Sequence, residues 1–200
     1  PNALITFNDG TSNQTVTLDA SGNATYTTAV LTADITYTLI SAETTTAPLC
    51  VNPQTGSATV TVTSLPTATI SGTATICSGN TSVITFAGTA GAVVTYTIDA
   101  GADQTITLDA SGNATVTTAA LTADSTYDLV SVALGTCNQT LVGSSVITVL
   151  PLPTATISGT ATICSATTAT ISFTGTPDAT VTYTVDGGAN QTILLDATGN

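Results

Sequence analysis

The run VVTYTIDAGADQTITLDASGNATVT, residues 93–117, alternates apolar and hydroxyl side chains. Val94, Tyr96 and Ile98 alternate with Thr95 and Thr97, Ile106 and Leu108 alternate with Thr105 and Thr107, and Val116 lies between Thr115 and Thr117. A period of two belongs to strands with one face in a core and one in water. Thr suits the outward positions, because its β-branch favours strand geometry and its hydroxyl accepts water. Asp109-Ala110-Ser111-Gly112 reads as a type I turn closed by a left-handed Gly112, so a hairpin joins two of these runs. The same turn recurs from Asp19 to Gly22 and from Asp196 to Gly199.

Outward from this run the chain repeats itself. Thr67–Asn113 aligns without gaps to Thr154–Asn200 at an offset of 87, identical at 33 of 47 positions. LDASGNAT occurs at Leu18 and again at Leu108, LTADITYTL at Leu31 answers LTADSTYDL at Leu121, and Cys50 answers Cys137. The first copy carries three additional residues between Ala42 and Leu49, which predicts a loop there. Leu65-Pro66 and Leu152-Pro153 punctuate the copies, since Pro interrupts strand pairing and stiffens a linker. The expected organisation is a partial repeat over 1–66 without its N-terminal strands, a complete repeat over 67–153, and a partial repeat over 154–200 without its C-terminal strands. Because the sequence starts and stops within a copy, a segment of a longer array is expected.

Strands are predicted in the complete copy at about 68–76, 81–87, 92–99, 103–108, 113–118, 125–133 and 141–149. Seven short strands with no helical period predict an all-β chain of tandem immunoglobulin-like sandwiches. Leu121–Tyr127 and Leu31–Tyr37 resemble the tyrosine corner of such domains, which gives Tyr127 and Tyr37 structural roles: a buried ring and a backward hydrogen bond.

Composition excludes much chemistry. There is no Lys, Arg or His against 11 Asp and one Glu, a formal charge of −12. Without cations the chain cannot neutralise phosphates, so nucleic acid is not an expected partner. Without His or Lys it lacks the commonest general base and the Schiff-base amine. No apolar run approaches the roughly 20 residues of a membrane helix, so no membrane insertion is expected in this segment. Thr and Ser supply 66 of the 200 side chains, yet mean hydropathy is +0.43, so the chain does not read as disordered.

Four cysteines stand at 50, 77, 137 and 164. The economical pairing is Cys77 with Cys137 inside the complete copy, which leaves Cys50 and Cys164 to partners outside this segment. Pairing Cys50 with Cys77 and Cys137 with Cys164 uses every thiol at equal separations of 27, and buried free thiols are a third arrangement. Either bridged arrangement implies an oxidising, extracellular setting.

Carboxylates are the only catalytic material, and a sandwich of 87 residues offers little cleft to hold two of them. No catalytic residue, resident metal or other cofactor is expected, and Asp99 with Asp103 is a weak calcium candidate. Asn-x-Ser/Thr triplets begin at Asn13, Asn23, Asn80, Asn113, Asn138 and Asn190, a mild excess for so hydroxyl-rich a chain. Asp124-Ser125-Thr126 resembles the O-glycan acceptor of the Bacteroidota, which makes Ser125 a candidate. Strand edges are usually defended by Lys, Pro or bulges. Thr-rich edges without Lys should associate side by side unless something bulky, such as a glycan, covers them.

The TATISGTATICSG opening, the Tyr-Thr-Ile-Asp strand at Tyr96, the LTADSTY corner and the Gly-Thr-Cys loop together resemble tandem Ig-like or PKD-like repeats. Such repeats occur in giant surface proteins of Bacteroidota, many exported by type IX secretion. The resemblance implies a non-enzymatic, glycosylated filament or stalk segment at the cell surface, self-associating along a fibre or tandem array. An adhesin repeat that itself binds carbohydrate or a surface is the alternative expectation. An ice-binding Thr array, suggested by Thr67-Ala-Thr69 and Thr73-Ala-Thr75, is a remote one.

Overall fold

The computed structural model describes residues 1–200, and every regular element in it is a β-strand. The chain divides into two compact units, Pro1–Pro66 with Gly135–Cys137, and Thr67–Leu134 with Asn138–Asn200. In the first unit β1 (Leu4–Asn8), β2 (Asn13–Thr17), β3 (Ile35–Glu43), β4 (Val51–Pro53) and β5 (Ser57–Val60) make one sheet. Its order is β2-β1-β3-β4 with β5 also on β3, and all pairs are antiparallel.

Residues 67–150 contribute β6 (Ala68–Ser71), β7 (Ala74–Cys77), β8 (Val83–Gly88), β9 (Val93–Ile98), β10 (Gln104–Thr107) and β11 (Asn113–Thr117). They continue with β12 (Ser125–Leu134), β13 (Cys137–Thr140) and β14 (Ser144–Leu150). One sheet runs β11-β8-β6; the other runs β10-β9-β12-β14-β7, with β13 also on β12. Beyond them β15 (Ala155–Ser158) pairs with β16 (Ser172–Gly175), and β17 (Thr180–Tyr183) with β18 (Gln191–Leu194).

The period of two becomes burial. Ala68, Ile84 and Phe86 from the three-stranded sheet meet Val94, Tyr96, Leu129, Val132 and Ile147 from the other in one buried cluster. Fully burying an aliphatic or Phe side chain contributes about 1.5–3 kcal/mol, so this cluster is the main source of stability there. The Phe86 and Tyr96 rings sit 4.9 Å apart at 44°, a tilted aromatic contact between the sheets.

The strand predicted over 68–76 is two strands. β6 pairs antiparallel with β8, whereas β7 pairs parallel with β14, so the chain changes sheets at Gly72. Gly72 has φ +120°, and a Cβ there would fall on the Val83 carbonyl oxygen, so only glycine fits this crossing. Likewise the strand predicted over 141–149 begins at Ser144, and β13 precedes it on the same partner. The three-residue excess of the first copy falls within Thr44–Cys50, between β3 and β4.

The expected Cys77–Cys137 disulfide is absent, and Cys50, Cys77, Cys137 and Cys164 are all free thiols. Registry explains why Cys77 and Cys137 do not meet. Cys77 stands opposite Leu150, and Ile147 on the same strand stands opposite Ser125, the first residue of β12. Cys137 follows the last residue of β12, Leu134, so nearly the whole strand, roughly 30 Å, separates the thiols. A disulfide needs Cα atoms within about 7 Å. Cys50 and Cys164, expected to have partners outside the segment, are exposed thiols, as is Cys77. Four free thiols carry no sign of an oxidising compartment.

Two measurements check this architecture. Alkylation of the denatured, unreduced protein should label all four cysteines, and a two-hydrogen mass deficit with two labels would mark a bridge. Gly112 and Gly22 share the text LDASGNAT and similar φ, +78° and +83°, but a Cβ at Gly112 would strike the Gly88 carbonyl whereas Gly22 has nothing nearby. Gly22→Ala should therefore cost only the left-handed strain, about 1 kcal/mol. Gly112→Ala should add an overpacking cost of about 1–3 kcal/mol, read as lost amide protection in β8 and β11.

Candidate functional site

Seven of the twelve acidic side chains accept hydrogen bonds from backbone N–H groups. Asp109 Oδ1 accepts the Ser111 and Asn113 N–H at 2.8 and 2.9 Å, and Asp19 does the same from Ser21 and Asn23 at 2.8 and 2.9 Å. Asp196 accepts from the Thr198 and Asn200 N–H at 2.8 and 3.0 Å and from the Thr198 hydroxyl at 2.7 Å. Each is an Asx-type cap on its own hairpin. Gly22, Gly112 and Gly199 close these turns at φ +83°, +78° and +85°.

A second set of carboxylates ties strands together. Asp34 accepts the Val62 N–H at 2.8 Å and Asp124 the Val149 N–H at 2.7 Å. Both Asp residues belong to the LTAD text, and its double occurrence was the signal that could have revealed them. Asp99 accepts from the Thr126 N–H at 2.7 Å and the Ser125 hydroxyl at 3.1 Å. Asp103, its expected calcium-loop companion, is exposed, and no three acidic or thiol side chains converge anywhere to hold a metal.

The glycan candidates divide. Asn13, Asn23, Asn80, Asn113, Asn138 and Asn190 are exposed. Ser125 is 4% exposed with its hydroxyl on Asp99, so a sugar at that oxygen requires the start of β12 to open. Tyr127 is buried and Tyr37 half-buried. Burial raises the Tyr127 phenol above its ordinary value; the Ser125 hydroxyl opposes that rise, and Tyr96 and Asp99 add to it. Burial also raises Tyr96.

An open cleft of about 510 Å³ lies in the first unit. Its walls include Phe7, Tyr26, Tyr37, Leu39 and Val60. The Phe7 ring lies 4.9 Å from Tyr26 and 6.2 Å from Tyr37. Apart from the two tyrosines its lining carries no titratable group, and its walls are mainly apolar. Period-two reading identified the apolar positions of these strands but not that they would line a cleft.

Comparison with protein-family models gives no match, and comparison with curated proteins gives none either.

The Asp9 and Asp196 carboxylates have depressed pKa values. The Ser12 N–H, then the Thr11 hydroxyl and N–H, hold Asp9 well below 3.8, and the Thr198 hydroxyl, then the Asn200 N–H, lower Asp196. A group lowered in the folded state stabilises its loop above the unfolded pKa and loses that effect as pH falls through the folded pKa. Both loops should thus stay ordered as pH drops below 3.8, with carboxyl titrations by NMR displaced to lower pH. Thr11→Val should move the Asp9 midpoint back up.

Proposed function

We propose that the chain is a run of tandem immunoglobulin-like β-sandwich modules with a period of 87 residues, acting as structural material in a glycosylated filament or stalk at the cell surface. The observation that carries this reading is the recurrence of backbone devices 87 positions apart. Gly72 and Gly159 have φ +120° and +124°, and Gly112 and Gly199 have +78° and +85°. The Phe173–Tyr183 rings repeat the Phe86–Tyr96 contact at the same 4.9 Å and 44°. Three copies, 1–66, 67–153 and 154–200, then follow one another with Leu-Pro at each boundary.

The two sheets around one cluster at 67–150 support the sandwich, with β11-β8-β6 on one side and β10-β9-β12-β14-β7 on the other. Outward Thr, the absence of Lys and the resemblance to Bacteroidota surface repeats support the extracellular, glycosylated setting. Exposed Asn side chains are its acceptor candidates.

Negative-stain images of the native protein should show extended beaded particles with an axial spacing of about 35 Å, the length of a ten-residue strand. Intact mass should exceed 19.7 kDa per 200 residues by several sugars. Compact single particles would overturn the filament, and a bare polypeptide mass the glycans.

A further inference from the structure

The chain enters and leaves the complete copy at opposite ends. Ile70 in β6 lies beside Gly143, where an added Cβ would fall 3.7 Å from the Ile70 side chain. The Thr73 hydroxyl accepts the Val146 N–H and meets the Ser145 hydroxyl, each at 3.4 Å. Ala74 then stands opposite Ile147 and Cys77 opposite Leu150. From 70 to 77 the entering strands therefore run in step with 143–150, parallel to the strand that leaves. Thr67 precedes Ile70 by three residues, at the end remote from Leu150, and roughly 30 Å of strand separates the two. Pro66 and Pro151 carry the chain onward at those two points.

This arrangement decides how the module meets a pull along the chain. Two strands pulled apart from one shared end separate like a zipper, one backbone bond at a time. β7 and β14 are parallel, so a pull at Thr67 and Leu150 slides them past each other, and every bond between them carries tension together. The Ser78 N–H extends this ladder by donating to the Leu150 carbonyl at 2.8 Å. Beside it the Gly79 N–H donates to the Leu121 carbonyl at 2.7 Å and the Leu121 N–H to the Asn80 carbonyl at 3.0 Å, which fastens the loop after β7. β14 is held on its other edge by β12, and just beyond their last pair Asp124 accepts the Val149 N–H at 2.7 Å. Gly72 makes the contact possible, because the entering chain can pass from β8 to β14 there only without a side chain.

We infer that β7 and β14 form a shear clamp, which keeps the module at 67–150 folded while tension passes along the chain. The β6–β8 ladder lies on the same path, but it joins the entering strand to the middle of the module. Only the β7–β14 ladder joins the entering strand directly to the leaving one. The buried cluster around Phe86, Tyr96 and Val132 lies off this path. Core packing therefore sets the equilibrium stability of the module, and the clamp sets its lifetime under tension. The inference rests on the filament or stalk reading, because only a tethered segment is pulled, and not on glycans.

The 200-residue chain, tethered at both termini and held under constant force, should release roughly 270 Å in one step when residues 67–150 unfold, their extended length less the distance already spanned. Ser78→Pro tests the clamp without harm to the fold. Ser78 is the second residue of the turn Cys77–Asn80, which the Asn80 N–H closes on the Cys77 carbonyl at 3.1 Å with Gly79 at φ +88°, and that position favours Pro. The variant loses the N–H bound to Leu150, so lifetime under force should shorten roughly 2- to 10-fold while the denaturant midpoint holds. Val132→Ala, in the buried part of β12, should lower the midpoint and leave that lifetime unchanged. Lifetimes that follow the midpoint instead, shortened by Val132→Ala and untouched by Ser78→Pro, overturn the clamp. Gradual extension with no single release from 67–150 overturns the folded module and the clamp with it. The two readings fail separately: lifetimes that follow the midpoint in a beaded filament refute the clamp alone, and compact native particles whose lifetimes respond to Ser78→Pro refute the filament alone.

Discussion

Backbone N–H and C=O groups must find partners when they leave water, and in an all-β chain the partner is another strand's edge. This constraint governs which stretches of the repeat become strands. Ala74-Thr-Ile-Cys77 is β7 because β14 lies beside it, yet the same four letters at 161–164 form no strand. The Asn-Ala-Thr text is β11 at 113 and irregular at 23 for the same reason. Local propensity is nearly equal within each pair, so the available edge makes the difference. Apolar burial then follows pairing: Ile84 reaches full burial where both sheets are present, and Ile171 does not.

The missing cations shape the rest of the molecule. A carboxylate in most proteins can turn to Lys or Arg; here seven of the twelve turn to backbone amides. Asp9, Asp19, Asp109 and Asp196 cap turns, while Asp34, Asp99 and Asp124 bind N–H groups 25 to 28 residues away in sequence. Charge-assisted hydrogen bonds of this kind are stronger than neutral ones, so the few acids act as fasteners of the fold. Across exposed strand faces, Thr hydroxyls pair instead of ions, as Thr36 with Thr59 at 3.0 Å and Thr156 with Thr174 at 2.8 Å.

What the sequence made legible follows from locality. β9, β10, β11 and β12 lie within about two residues of the stretches read from alternation and turns, because their pattern is local. The split at Gly72 was not legible: alternation continues through Ala68, Ile70, Ala74 and Ile76 with Thr69, Ser71, Thr73 and Thr75 between them, and only the neighbouring Val83 carbonyl shows why a side chain is excluded. β13 escaped because a four-residue strand with two half-buried positions carries almost no periodic signal. The cysteine pairing failed on registry, since spacing along the chain says nothing about which end of β12 a thiol occupies. The cleft was beyond sequence reading for the same reason as the unpaired 161–164 stretch: each depends on which partner strands are present.

An edge without Lys behaves differently from a defended one. Natural sheets commonly carry inward charges, Pro or bulges to refuse a second chain. The far edge of β16 carries Ser172, Phe173 and Thr174, which offer no electrostatic refusal, and the first unit presents aromatic surface beside an unpaired Asn23–Thr27. Net negative charge does oppose association over the length of a Debye screen, but 11 Asp and one Glu spread over 200 residues leave both surfaces free of carboxylates at their centres. The repeated Ala, Ile and Phe positions of β6, β8, β15 and β16 give the two hairpins the same register, Ala68 opposite Gly88 and Ala155 opposite Gly175.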